Sequence, residues 1–167
     1  MVDDITKAWA AGFFDGEGSI YLTVESRWGM IYLVVEVSQI DKEPIDRLNA
    51  NWPARIYYYR HKDKARNHRP IYRWTILANK AVKFLADIRL FSARPKVIER
   101  IDLALDFQAQ KRLTSHRGAA YKALQEEYRA RMCALNRRGR DTMTLPHPPA
   151  EIDRQLTMFD YGPPQMD

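Results

Sequence analysis

The residues best suited to chemistry sit in one short run, "AGFFDGEGSI" from Ala11 to Ile20, where Asp15 and Glu17 lie among Gly12, Gly16 and Gly18. Ala8, Gly12 and Gly16 fall at i, i+4 and i+8, so a helix through them stacks minimal side chains on one face. A glycine inside a helix costs about 1 kcal/mol relative to alanine, and a narrow stripe offsets that by letting a second backbone come close. Ala8, Gly12 and Gly16 are therefore the expected dimer interface, with a second copy of the same helix as the partner. Two such helices side by side bring their C-terminal ends together, each carrying one Glu17. Paired carboxylates at the negative ends of two helix dipoles repel, and a cation between them removes the conflict. Mg²⁺ fits, because it takes one or two carboxylates and completes its octahedron with waters and phosphate oxygens. A carbonyl at the helix end, such as that of Gly18, would be a further ligand.

Other chemistries fail on the same letters. "GEGSIY" starts like a dinucleotide-binding fingerprint but has Tyr21 at the third glycine and precedes a strand. "DGEGSI" lacks the glycine of an EF-hand loop, and there is no P-loop and no H-E-x-x-H. The histidines (His61, His68, His116, His147) have no metal-ligand spacing. The single cysteine, Cys133 in "RMCALN", reads as a small core residue on a helix and excludes an internal disulfide.

Charge adds a partner class. The chain has 167 residues and a net charge of +6, and the excess is concentrated. Arg55, Arg60, Lys62, Lys64, Arg66, Arg69 and Arg73 face the single acid Asp63 within nineteen residues that also hold Tyr57, Tyr58, Tyr59 and Tyr72. A basic run interleaved with aromatics and flanked by strands points to nucleic acid more than to a solvated loop. No run of eighteen apolar residues occurs, and "MVDDITKAW" lacks the features of a signal peptide, so a soluble, unexported protein without a membrane partner is expected.

The elements that must position these groups follow from periodicity. The pattern predicts a helix over Thr6 to Phe14, capped by Thr6 or an earlier Asp and stopping at the Gly16 and Gly18 cluster. A strand from Ser19 to Glu25 follows, then a turn at Arg27, Trp28 and Gly29. The returning strand turns Ile31, Leu33, Val35 and Val37 inward and Tyr32, Val34, Glu36 and Ser38 outward. A short helix spans Lys42 to Asn51, and "RIYYY" and "IYRWTIL" are strands joined by the basic loop His61 to Pro70. After Asn79 one helix presents Val82, Leu85, Ala86 and Leu90, and another from Pro95 presents Val97, Ile98, Ile101 and Leu105. The order is αββαββα, an α+β core with an antiparallel sheet. The reading divides the chain into a core over 1–113, a basic C-terminal helix over 114–140 and a Pro-rich extended tail over 141–167, since five of the nine prolines lie in residues 137 to 167.

At this point "AAGFFDGEGSI" resembles the signature of the LAGLIDADG homing endonucleases, and the element order matches that family's core over residues 6 to about 110. Only one motif is present, and the resemblance implies the single-motif type, which forms homodimers with motif helices at the two-fold axis. It implies Glu17 at the metal-binding acid position, with Glu for the Asp of the family name, and Gly18 offering its carbonyl. Asp15 falls on the earlier, structural acid. Gln39 matches a polar position that orients water near the scissile phosphate, and Lys96 is the nearest match to a catalytic basic residue, Val97 taking that place if the register is not shifted. A further basic position falls on Glu43, which departs from the family's pattern.

The implied activity is site-specific double-strand DNA cleavage of homing type, by divalent-metal-dependent phosphodiester hydrolysis on a long pseudo-palindromic site, as in intron homing. Mg²⁺ is the implied cofactor, with Mn²⁺ or Ca²⁺ able to replace it in binding. The other readings are a LAGLIDADG-type maturase acting on intron RNA, or a DNA- or RNA-binding protein that does not cut. Outward strand residues Ser19, Tyr21, Thr23, Glu25, Arg27, Tyr32, Glu36, Arg73 and Thr75 would line a saddle in the major groove, with Arg55, Tyr57, Tyr59, Arg60, Lys62, Lys64, Arg66 and Arg69 beside it for phosphates and stacking. The resemblance implies a cytoplasmic or nucleoid-associated protein of a bacterial, phage or archaeal system, or one of an organellar matrix.

Overall fold

The computed structural model describes residues 2–25, 29–60, 69–113 and 118–137. Arg27 and Trp28 of the expected turn, the loop residues Lys62, Lys64 and Arg66, and the tail 141–167 lie outside the described residues.

Asp3 starts the first helix, α1 (Asp4–Glu17), by accepting from the Thr6 N–H and hydroxyl, both at 2.8 Å. Thr6 is thus inside the helix and Asp3 is its cap, and α1 stops within the Gly16 and Gly18 cluster as expected, with Glu17 its last residue and Gly18 its C-cap. At Gly18 the chain turns straight into strand β1 (Gly18–Val24), closing the helix with an N–H to the Phe14 carbonyl. A Cβ here would run into the ring of Phe14, a fully buried side chain, so the tight passage from helix to strand needs glycine.

β1 pairs antiparallel with β2 (Ile31–Gln39), then comes α2 (Lys42–Asn51), the strands β3 (Arg55–Tyr59) and β4 (Ile71–Leu77), and helices α3 (Ala78–Arg89), α4 (Pro95–Leu113) and α5 (Ala119–Asn136). The four strands lie in the order β1-β2-β4-β3, every neighbouring pair antiparallel. The α+β class and the αββαββα order hold.

Alternation sends Ile20, Leu22, Leu33, Val35, Val37, Trp74 and Ile76 into one core under the helices. Phe84 of α3 sits at its centre, edge-on to Trp74 at 5.0 Å, Trp52 at 5.2 Å and Phe14 at 5.4 Å. The indole N–H groups of both tryptophans are satisfied, Trp74 by the Trp52 carbonyl at 3.2 Å and Trp52 by Asp87 at 2.9 Å.

Five side chains depart from the sequence expectation. Val34 is buried although it belongs to the outward set, being flanked across the strands by Tyr21 and Leu77. On α3 the buried stripe is Ala81, Phe84, Leu85 and Ile88, so Leu90 falls past the helix end and is 82% exposed. On α5 the buried positions are Tyr121, Gln125, Tyr128 and Met132, which leaves Cys133 about 100° around the helix and exposed. Ile98 and Leu105 of α4 are only half-buried, and Phe107 and Ala104 supply its core contacts instead.

α5 shields an edge. Asn136 donates to the Ile20 carbonyl of β1 at 2.8 Å, and Gln125 accepts from the Ile31 N–H at 3.2 Å. A helix along the outer side of β1 covers polar groups that an open sheet edge would expose. No helix among the described residues is long and apolar enough to cross a membrane.

Candidate nucleic-acid interface

Three segments meet at one end of the sheet. Gly18 pairs with Val37, so the end of β2, with Gln39, lies beside the C-terminal end of α1. The start of α4 is tied to the same place by Asp15. Its buried carboxylate accepts from the Ser92 hydroxyl, the Ala93 N–H at 2.8 Å and the Arg94 N–H at 3.3 Å, while the Arg94 guanidinium donates back to the Asp15 carbonyl. These bonds satisfy N–H groups just ahead of a helix, where no backbone acceptor is available. Asp15 therefore fastens one helix end to another helix start.

Glu17, two residues on, is exposed, and among the described residues its carboxylate makes no hydrogen bond or ion pair. Ala8, Gly12 and Gly16 are likewise exposed, and among the described residues nothing outside the helix's own backbone comes within 4 Å of a Cβ built on either glycine. Gln39 is half-buried and its side-chain carbonyl accepts from the Ile40 N–H at 3.0 Å. Lys96 is exposed in the first turn of α4, whereas Val97 is a core residue. Glu43 is exposed in the first turn of α2. Sequence reasoning missed Arg94, the basic side chain bonded directly to the end of α1. The only signal was a second base beside Lys96 in "ARPK".

No group of three or more His, Cys, Asp or Glu side chains that could hold a metal occurs among the described residues. One protomer thus offers a single hard carboxylate, Glu17, at the end of a helix. That donor fits Mg²⁺ when other oxygens complete the shell, and it does not fit a soft metal or an all-protein cage.

The sheet face away from the core carries the rest. Ser19, Tyr21 and Thr23 of β1, Tyr32, Glu36 and Ser38 of β2, Arg73 and Thr75 of β4, and Arg55, Tyr57 and Tyr59 of β3 share it through the pairing register. This settles the β3 register: Tyr57 and Tyr59 face outward and Tyr58 lies on the opposite side. Arg55 lies over the Tyr57 ring and Arg73 over the Tyr59 ring, each at 4.7 Å, and the two tyrosines stack at 6.1 Å. Glu36 accepts from the Thr75 hydroxyl at 3.1 Å and is bonded to Tyr21. Burial first, then the Glu36 charge and that hydrogen bond, push the Tyr21 hydroxyl far above its ordinary pKa, so it stays protonated and donates. Glu25 and Arg60 are exposed just beyond their strands, and Arg69 is exposed before β4.

Neither a protein-family model nor a curated protein sequence matches this chain. Solved structures do resemble it. An archaeal intron-encoded homing endonuclease, I-Vdi141I, complexed with DNA, superposes with a TM-score of 0.62 at 13% identity over 84% of this chain and 90% of that one. The LAGLIDADG meganuclease I-AabMI bound to uncleaved DNA gives 0.59 at 12% identity over 74% of this chain. The LAGLIDADG homing endonuclease I-GzeII in complex with its DNA target gives 0.58 at 14% over 88%. This chain spans 43% of the second protein's length and 55% of the third's. The fold is that of the LAGLIDADG homing endonucleases.

Proposed function

We propose that this chain is a site-specific, metal-dependent DNA endonuclease of homing type that works as a homodimer. The observation that carries the reading is Glu17, an exposed carboxylate with no partner among the described residues, at the end of a helix whose small-residue stripe is open. Among the described residues nothing packs on Gly12 and Gly16 to offset their cost of about 1 kcal/mol each, which supports a second molecule as the source of the compensation. Two copies packed along Ala8, Gly12 and Gly16 set two Glu17 carboxylates together. In length this chain matches 90% of I-Vdi141I but about half of I-AabMI and I-GzeII, which supports two copies doing what one longer chain of this fold does.

Glu17, with the Gly18 carbonyl, would hold Mg²⁺, and Mn²⁺ or Ca²⁺ would serve in binding. When bound, the ion would neutralise charge on the phosphoryl oxygens and lower the pKa of a bound water. Gln39 orients water at the end of β2. Lys96 and Arg94 place positive charge at the same end of the sheet, where an extra negative charge develops during hydrolysis. The sheet's polar face lies in the major groove and Arg60 and Arg69 pair with phosphates. The test is incubation of supercoiled plasmid carrying the uninterrupted host locus with protein and Mg²⁺, beside Glu17→Gln and EDTA controls. Site-specific cutting by the wild type alone is expected. Specific binding without cutting would replace this reading with a maturase or binding-only protein, and would turn attention to Glu43, where the family's pattern has a basic residue.

A further inference from the structure

Arg73 is held more firmly than a phosphate contact needs. Its guanidinium carbon lies over the Tyr59 ring, 4.7 Å from the centroid, and its Nε donates to the Ser38 hydroxyl at 3.3 Å. These two contacts engage the face of the group and its Nε, and among the described residues no hydrogen bond is made by the terminal Nη pair. The fork also fits a phosphate, but a phosphate contact carries no sequence information, whereas a fork held on a face that enters the major groove can read a base. A planar fork with both terminal nitrogens presented together matches the O6 and N7 acceptors of guanine.

Glu36 is the reverse case. It sits on β2, a strand with neighbours on both sides, and its ladder neighbours on that face are Ser19, Thr75 and, on the diagonal, Arg73. Thr75 and Tyr21 hold it in place, and no ion pair closes between it and Arg73. A carboxylate facing a phosphate backbone weakens binding unless it receives a proton donor from a base. In the major groove only the amino groups of cytosine and adenine donate. Adenine places its N7 acceptor beside that amino group, where it repels a carboxylate, and cytosine does not. Arg73 pairs across the ladder with Ser38, two residues from Glu36, which makes Arg73 and Glu36 diagonal neighbours. Such neighbours lie about 7–8 Å apart, which spans about two base steps of 3.4 Å.

Resting on the endonuclease reading above, we infer that each half-site carries a guanine read by Arg73 and a cytosine read by Glu36, within about two base steps of each other. The surrounding tyrosines and hydroxyls act as a rigid mount for these two readers.

The experiment is selection of bound duplexes from a randomised pool with the full-length protein and Ca²⁺, repeated with Arg73→Lys, Arg73→Ala and Glu36→Gln, each checked for folding by thermal melt. The wild type is expected to enrich a site with a fixed G and a fixed C in each half. Arg73→Ala should lower the preference for that G about ten- to hundredfold and leave other positions unchanged. Arg73→Lys, which keeps the charge but not the fork, should lose the same preference while retaining affinity for unselected DNA. Glu36→Gln should shift the C position toward adenine, which pairs with an amide. If both Arg73 variants weaken all sequences equally with the consensus unchanged, Arg73 is a phosphate contact and the inference falls. An unchanged consensus in Glu36→Gln, with that variant folded, would likewise overturn it. Should the wild type enrich nothing, the endonuclease reading fails as well, which distinguishes the two failures.

Discussion

Asp15 and Glu17 stand two residues apart on one helix turn and have opposite fates. Asp15 is buried among three donors from the segment ahead of α4, and Glu17 is exposed with no partner among the described residues. The residues differ by one methylene, so side-chain chemistry does not separate them. Their angle on the helix does: two positions turn the side chain through about 200°, from the core side to the open side. A carboxylate that satisfies backbone N–H groups holds a fold together, whereas an exposed one at the negative end of a helix gains nothing from the dipole. Under the proposed function, a cation at Glu17 would supply the missing partner.

Substitutions at the two acids should therefore separate activity from stability. Glu17→Gln should reduce cleavage about a thousandfold, the several kcal/mol that a metal contributes to the transition state, and leave the thermal midpoint unchanged. Plasmid nicking and a melt on the same preparation would measure both, and a large loss of stability would put Glu17 in the same class as Asp15. Asp15→Ala should lower unfolding free energy by about 1–3 kcal/mol, because three part-buried donors lose a charged acceptor. Urea titration reads that value, and a change below about 0.5 kcal/mol would show that the link to α4 is not needed for stability.

The glycines offer a finer version of the same contrast. Gly18→Ala forces a Cβ into Phe14 and should cost about 1–3 kcal/mol of protomer stability. Gly12→Ala and Gly16→Ala meet nothing within 4 Å and should leave the isolated protomer as stable or up to about 1 kcal/mol more so. In sedimentation, however, both should weaken self-association. Equal dimerisation of all three proteins would remove the small-residue stripe from the interface.

The smallest effect concerns a third acid. Asp102 of α4 receives a two-pronged contact from Arg89 of α3, the second prong at 2.8 Å. That hydrogen bonding holds the Asp102 carboxyl below its ordinary value of 3.8. A depressed folded pKa means the contribution is fully present above 3.8 and lost as the pH falls through the folded value. Asp102→Asn should thus melt slightly earlier at neutral pH and match the wild type in strong acid. Because the pair is open to solvent, the neutral-pH difference should shrink with added salt.

Much of this was legible beforehand for a definable reason. Element order follows from periodicity, which is local, and α2, β3 and β4 keep the boundaries read from their letters. Glu17 and the small-residue stripe stood out because glycine and paired acids are costly in a helix. Rotational phase was harder to read. Leu90 and Cys133 were assigned to the core on apolar character, and both ended outside because the stripe that packs is set by the neighbouring helices. Arg94 was missed because its partner, the Asp15 carbonyl, lies seventy-nine positions away.

By itself, then, the sequence determined the αββαββα order, the helix that carries the two acids, and the tyrosine-rich, basic character of the second strand pair, all consequences of short-range spacing and residue type. Only the tertiary structure decided that Asp15 is spent on α4 while Glu17 stays open, that Tyr57 and Tyr59 but not Tyr58 face outward, and that Arg73 and Glu36 become neighbours. Those outcomes depend on contacts between segments far apart in the chain, where side-chain direction is fixed by pairing register and packing and no local pattern carries the information.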